Sequence, residues 1–437
     1  MTQSIPTPEM LDALQRQAFG YFVHEVNPVN GLIADKTQEG APASIAAVGL
    51  ALAAYTVGVE RAFITRAEAA ERTLATLRFF RNSSQGTGSK ATGYKGFYYH
   101  FLDMKTGNRI WQCELSTVDS AFLLAGMLTA AAYFTNESAD EHEIRTLADE
   151  LYRRVDWQWA QDGGATVTHG WKPESGFLPH RWQGYDEALL LYLLGLGSPT
   201  HPLPEESYSA WTSTYQWKKV YDREFLYAGP LFIHQLSHVW VDFRGIQDEY
   251  MRGKSIDYFE NSRRATYVQQ EYAIRNPRQF KDYGENCWGI TASDGPGPAN
   301  YFIKGREQRF FGYLARGVPD GPDDGTIAPW AVVASLPFAP EIVLSVLRWF
   351  DDLKLRAAGP YGFKATFNPT YPGKSDQASF WVSPWHYGLN QGPIVLMIEN
   401  FRSGLLWRLM RQCPYLVSGL RRARFSGGWL EARGSAI

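Results

Sequence analysis

The stretch WKPESGFLPHRWQGYDE, residues 171–187, gathers three carboxylates, three basic or imidazole groups and four aromatics into 17 residues. It then runs into the apolar segment ALLLYLLGLGS. Aromatic faces stack on sugar rings, and carboxylates bind hydroxyls and move protons. Such a loop, opening onto an apolar helix, suits an enzyme that handles carbohydrate; the plainer reading is an aromatic plug over a core. Cleaving a glycosidic bond needs an acid for the leaving oxygen and a second group that activates water or attacks directly. Carboxylates suited to this stand at helix ends or in loops, among aromatics that keep the acid protonated.

Five segments carry such groups. WQCELSTVDSAF offers Glu114 just before an apolar helix and Asp119 one turn inside it. Helix starts favour acids, so capping by Glu114 or Ser116 and a basic partner for Asp119 are equally good readings. GYDEA offers Asp186 and Glu187. Asp186 suffices as a cap, which leaves Glu187 at the edge of an apolar stripe as the preferred acid. HQLSHVWVDFRG holds His234 and His238 four apart, but no third ligand follows, so a metal is not expected. In the same segment Trp240, Asp242 and Arg244 read either as an aromatic platform with a charge clamp or as a buried ion pair. YGENCWGITASD brings Glu285, Trp288 and Asp294. In GLNQGPIVLMIENFR, Asn390 lies at a loop-to-helix junction, whereas Glu399 reads as part of a structural polar network. Trp182, Tyr185, Trp240 and Trp288 all neighbour charged residues and are expected to line one cleft with Glu187.

The rest of the sequence narrows the class. Net charge is −2, so no electrostatic footprint for nucleic acid or an anionic membrane is present. No uninterrupted apolar run reaches spanning length. The first residues, MTQSIPTPEMLDALQRQ, lack a secretory signal pattern. A cytoplasmic location is expected, or a periplasmic one if the N-terminus has been trimmed. Cys113, Cys287 and Cys413 are odd in number and far apart, which fits a reducing compartment. Nucleotide cradles of the GxGxxG or GxxxxGK[ST] type are absent, as is GxSxG, so no cofactor is expected.

Positioning these groups falls to helices. The pattern predicts a capped start at Thr7-Pro8-Glu9, a small-residue apolar helix over 44–57, and a capping box at Thr65–Glu68 opening an amphipathic helix. Apolar segments at 116–134, 186–196 and 326–336 alternate with amphipathic ones at 141–155, 205–218, 256–275 and 340–355. Residues 230–238 read as a further helix and 393–410 as two short ones. Roughly twelve helices with their connections need about 400 residues. The expected fold is therefore all-α: a single (α/α)6 double barrel over residues 1–437, six helices inside and six outside. Its long loops, at 83–107, 163–185, 291–325 and 357–388, would form the cleft. They contain β-like pieces such as GYKGFYYHFLD.

Several motifs also resemble a known family. ELSTVDSAFLLAGML, WKPESGFLPHRWQGYDEA, SHVWVDFRGIQDEYM, YGENCWGITASDGP and NQGPIVLMIENFRSGLLWRL are among ten colinear stretches, between about residues 15 and 425, similar to the glucoamylase-like proteins of glycoside hydrolase family 144. The resemblance implies an (α/α)6 barrel and inverting action on β-1,2-glucan, endo or sophorose-releasing. It places the family's general acid on Glu187 and a helix-start carboxylate on Asp119. Two further acids of the family's glucanases would fall on Ser116 and Gln112, and the usual base, an Asp, on Asn390. An amide cannot accept a proton from water as a carboxylate does. Hydrolysis of plain β-1,2-glucan is thus expected to be slow and Asn390→Asp to raise it, unless another carboxylate, Asp119 first, has taken the role. A transglycosylase or a catalytically weak glucan-binding protein on the same scaffold stays open.

Overall fold

In a computed structural model, which describes residues 8–357, 359–373 and 379–431, helices buried on every side alternate along the chain with amphipathic ones. The order is α1 (Pro8–His24), α2 (Ile45–Glu60), α3 (Arg66–Asn82), α4 (Thr117–Tyr133), α5 (Ala139–Arg153), α6 (Leu189–Gly197), α7 (Glu205–Thr212), α8 (Glu249–Lys254) and α9 (Tyr258–Arg275). After these come α10 (Pro329–Ala334), α11 (Pro340–Asp352), α12 (Gly388–Arg402), α13 (Leu405–Met410), α14 (Pro414–Arg422) and α15 (Gly428–Glu431). Apolar residues all round make α2, α4, α6 and α10 interior helices, whereas α3, α5 and α11 bury only one stripe. The interior helices are laterally continuous: α6 packs on α4, α4 on α2, α2 on α12 and α12 on α10. The first and last long helices also meet, for α1 packs on α12 and Gln15 Nε2 donates to Val395 O at 3.0 Å.

Local chemistry sets the starts. Thr65 and Glu68 form both bonds of the capping box, Thr65 N to Glu68 Oε2 at 2.8 Å and Glu68 N to Thr65 Oγ1 at 3.2 Å. Ser44 and Ser116 cap α2 and α4 from extended backbone. Thr7, the expected cap of α1, lies outside the described residues. Glycine lets α2 and α4 touch: a Cβ on Gly126 would stand 2.0 Å from Gly49 O. Gly126→Ala must push two buried backbones apart, and it is expected to cost about 1–3 kcal/mol. A thermal midpoint equal to wild type would mean that the helices do not meet at these glycines.

Three expected elements differ. Residues 230–238 form two 3-10 turns, Leu231–His234 and Leu236–Val239, because side chains there bind other segments: Gln235 Nε2 donates to Ala331 O and Ser335 Oγ. The helix expected over 205–218 stops at Thr212, and Trp217–Val220 pairs instead with Arg223–Leu226. Helix α12 starts at Gly388, with Pro393 inside it, rather than at Pro393. Nor is the chain helical throughout. The long loops fold into short antiparallel strands, the largest group being five-stranded in the order Gly93–Tyr94, Phe97–Tyr99, Leu115–Ser116, Gly170–Lys172, Gly176–Phe177. Among the described residues, no helix is long and apolar enough to cross a membrane.

Candidate active site

The strand leaders of the interior helices are stitched together, and this brings distant carboxylates to one end. Ala43–Ser44, leading into α2, pairs with Phe101–Leu102. Leu115–Ser116, leading into α4, pairs with Tyr98–Tyr99 on one side and Gly170–Trp171 on the other. Lys36 bridges Tyr387, the residue before α12, and Gly388 N donates to Asp35 O at 2.9 Å. The register Tyr99↔Leu115 sets His100 opposite Glu114, where His100 N donates to Glu114 O. Side chains opposite one another on neighbouring strands interact, and His100 Nδ1 lies 2.8 Å from Glu114 Oε1. On its other edge, His100 Nε2 is 3.7 Å from Asp119 Oδ2 in the first turn of α4.

Electrostatics fix the protonation states. Burial alone would push the His100 imidazole down, but Asp119, Glu114 and Asp35 together outweigh it and hold the group at about 9. At neutral pH it is an imidazolium bridging two carboxylates. Although burial disfavours a charged Glu114, the bond from His100 holds its carboxyl below the usual value. Asp119 Oδ2 also accepts from Ser116 Oγ at 2.5 Å.

The two acids of GYDEA differ in their partners. Asp186 Oδ1 accepts from Ala188 N at 3.0 Å and from the Trp211 indole at 3.1 Å, so it serves the turn into α6. Glu187, the next residue, is half-buried. Burial pushes its carboxyl up to about 7, and the field of Asp119 adds to the rise. A carboxylic acid still protonated near neutrality can give a proton to a leaving oxygen. Tyr313 is 69% exposed, and desolvation together with the charges of Glu187, Asp119 and Asp35 pushes its hydroxyl up to about 12. A buried ion pair holds that segment: Arg316 Nε and Nη2 donate to Asp324 at 2.7 and 2.8 Å, and Nη1 donates to Ser293 O. Trp111 is 67% exposed; it and Gln112 both have left-handed backbone (φ 54° and 49°), which side-chain-bearing residues adopt at a cost of about 1–3 kcal/mol. Its ring meets Phe101, which stacks on His100 at 3.9 Å.

Glu187, Asp119 and Glu114 are thus brought together. Asn390, partly exposed, lies two residues beyond Gly388 and so close to Asp35 along the α12 leader. Asp294 accepts from Ser383 Oγ at 3.0 Å and contributes to the field at Tyr387. The expected aromatic cleft does not form from the residues named for it. Trp240 and Trp288 are fully buried; Trp240 stacks on Phe122 at 5.6 Å. Trp182 is buried too, its indole donating to Thr117 Oγ1 at 3.0 Å and its ring stacked on His169 at 3.8 Å. Tyr185 packs among Tyr215, His234 and Tyr258. Burying the three tryptophans stabilises the core, whereas a sugar platform must stay open; Tyr185 is partly exposed.

Asp242 and Arg244 form the buried-pair alternative, with bonds of 2.8 Å to Nε and to Nη2, and Arg411 binds the same carboxylate. They lie near the C-terminal end of α12, where Asn400 donates to Val239 O, away from the leaders. Glu285 is exposed at a tight turn, Gly284–Cys287. His234 and His238 are buried, and burial pushes their imidazoles down to about 4 and about 3. Among the described residues no three His, Cys, Asp or Glu side chains group as metal ligands. Glu399 is tied to Arg61 by two bonds of 2.7 Å and to Gln15 and Ser403. A cavity of about 400 Å³ lined by Tyr208, Asp248 and Arg422 holds none of the clustered carboxylates. Its Asp248 is occupied by Met251 N, Tyr208 and Tyr258.

Asp35, His100, Tyr313 and Trp111 escaped sequence reading. Asp35 stands in GLIADKTQEG without an aromatic neighbour, and the pairing of His100 with Glu114 depends on strand register. HisPhe beside an aromatic pair in YYHFLD was the one visible signal.

Residues 179–414 match the family model described as "Putative glucoamylase". The chain belongs to this glucoamylase-like family. It is 30% identical over 458 residues to an exo β-1,2-glucooligosaccharide sophorohydrolase (non-reducing end) of Parabacteroides distasonis. That alignment covers 96% of this chain but 58% of the relative, so the chain spans little more than half of that protein. A crystal structure of a "putative glucoamylase" from Bacteroides uniformis shares 34% identity with a TM-score of 0.86, covering 98% of this chain and 100% of that one. An endo-β-1,2-glucanase from Chitinophaga pinensis, in complex with sophorotriose and glucose, shares 27% identity with a TM-score of 0.84, covering 97% and 99%.

Proposed function

We propose that this chain is a glycoside hydrolase acting on β-1,2-glucan or its oligosaccharides by acid–base chemistry, with Glu187 as the general acid. The observation that carries the reading is Glu187 itself: a half-buried carboxyl at the head of the apolar helix α6, raised to about 7 by burial and by the charge of Asp119. The scaffold is a single (α/α)6 barrel domain, its interior helices delivering their N-terminal leaders to the cleft. Asp119 and Glu114, held by the His100 imidazolium, bind sugar hydroxyls, and the exposed rings of Trp111 and Tyr313 offer stacking faces.

Incubation with β-1,2-, β-1,3- and β-1,4-glucans, followed by chromatography, is expected to give sophorose-series products from the β-1,2-glucan alone. Turnover should fall as pH rises through about 7, because Glu187 then loses the proton it must donate. No product from β-1,2-glucan, with the folded protein still binding it, would favour the glucan-binding alternative that the amide at Asn390 suggests. Products longer than the substrate would favour a transglycosylase.

A further inference from the structure

We propose that Asp35 is the general base of this site, the carboxylate that activates water in place of the Asp absent at position 390; this rests on the hydrolase reading above. The chain positions it for the task. Asp35 N donates to Pro42 O at 2.7 Å, and Asp35 O accepts from Gly388 N at 2.9 Å. Thr37 N donates to His386 O, and Lys36 bridges Tyr387. The segment is thereby fixed at both flanks against the start of α12, two residues from Asn390. Within the cleft Asp35 lies in the field of Asp119 and His100, and it acts in turn on the phenols of Tyr21, Tyr313 and Tyr387.

Its competitors are less free. Asp119 accepts from Ser116 Oγ and stands beside the His100 imidazolium. Glu114 is bonded to the same ring. That bond holds the Glu114 carboxyl below its usual value, which makes it a weaker base. Among the described residues no donor bonds the Asp35 carboxyl, which is half-buried. Burial pushes it up to about 6, with Asp119 adding to the rise and Lys36 and His100 opposing it. A base titrating close to the working pH is better matched to proton abstraction than an ordinary aspartate.

In the step, an Asp35 oxygen takes one proton from water as the water oxygen bonds to the anomeric carbon. The bond from that carbon to the bridging oxygen breaks on the opposite face. The bridging oxygen receives the Glu187 proton, leaving Glu187 ionised and Asp35 protonated. Exchange of one proton each with solvent restores the enzyme. The anomeric configuration inverts.

The test compares wild type, Asp35→Asn, Asp119→Asn, Glu187→Gln and the double variant Asp35→Asn/Asn390→Asp on β-1,2-glucan. Melting temperature and sophorose binding are recorded for each. Asp35→Asn should lower kcat by about 10²–10⁴-fold with KM, binding and melting little changed, and should lose the rise in activity through about pH 6. Sodium azide needs no base, so it should restore glucan cleavage to Asp35→Asn and yield an α-glycosyl azide. A merely structural role would not produce that adduct. The double variant should regain part of the lost kcat, because it returns a carboxylate to the neighbouring position. An inert wild type would overturn the hydrolase reading and this proposal with it. An active wild type silenced by Glu187→Gln but unmoved by Asp35→Asn would overturn this proposal alone. So would azide adducts from Asp119→Asn instead of Asp35→Asn.

Discussion

Glu187→Gln is expected to reduce turnover of β-1,2-glucan by about 10²–10⁴-fold while leaving the fold and sugar binding nearly intact. The amide is the same size as the acid and enters the same half-buried site. It keeps a hydrogen-bond donor toward the glycosidic oxygen but has no proton to give. The loss should depend on the leaving group. A glucoside with a good leaving group, such as a nitrophenolate, needs little protonation and should lose much less. The fall in activity above about pH 7 should also disappear from the variant's profile, since the group that titrates there is gone. Equal losses on glucan and aryl glycoside would show that Glu187 does something other than donate the proton.

The largest effect on stability is expected at Arg316, far from the acid in sequence. Its guanidinium is completely buried and makes two bonds to Asp324, one to Ser293 O, and one each to Phe311 O and Gly312 O. Arg316→Met keeps the length of the side chain but leaves the buried Asp324 carboxylate without a counter-charge, held by Phe311 N and Thr326 N, and strands three carbonyls. Removing one partner of a buried pair costs about 3–5 kcal/mol. The segment that loses its anchor carries Tyr313, so KM for glucan should rise together with the drop in melting temperature. A variant that melts as wild type does would show that water or another group satisfies Asp324.

How far the sequence could be read depended on the range of the interaction involved. The capping box at Thr65 and the apolar helices α2 and α4 are local patterns, and the chain obeys them. Glu187 stands out in the sequence for a related reason: an acid that the turn into α6 does not use, at the head of an apolar helix, has few structural uses, and its proposed role rests on that. Trp240 and Trp288 misled because neighbouring charges do not say which way a ring points. Asp242 satisfies its own pair, and the indole beside it turns inward. Asp35 was invisible because what makes it unusual is spatial. Its neighbours are a histidine between two strands, an aspartate at a helix start and the leader of α12, about 350 residues away.

That last contact bears on how the protein comes to exist. Gln15 binds Val395 across 380 residues, and Asp35 is tied to Gly388 over a similar span. Contacts this remote carry a large loop-closure entropy and form late. During synthesis the N-terminal helices emerge long before α12, so the groups proposed to hold and cleave sugar cannot be assembled until α12 has emerged. Partly made or truncated chains therefore expose the apolar flanks of α1 and α2, surfaces that α12 covers in the finished molecule. Such intermediates are the natural clients of a chaperone.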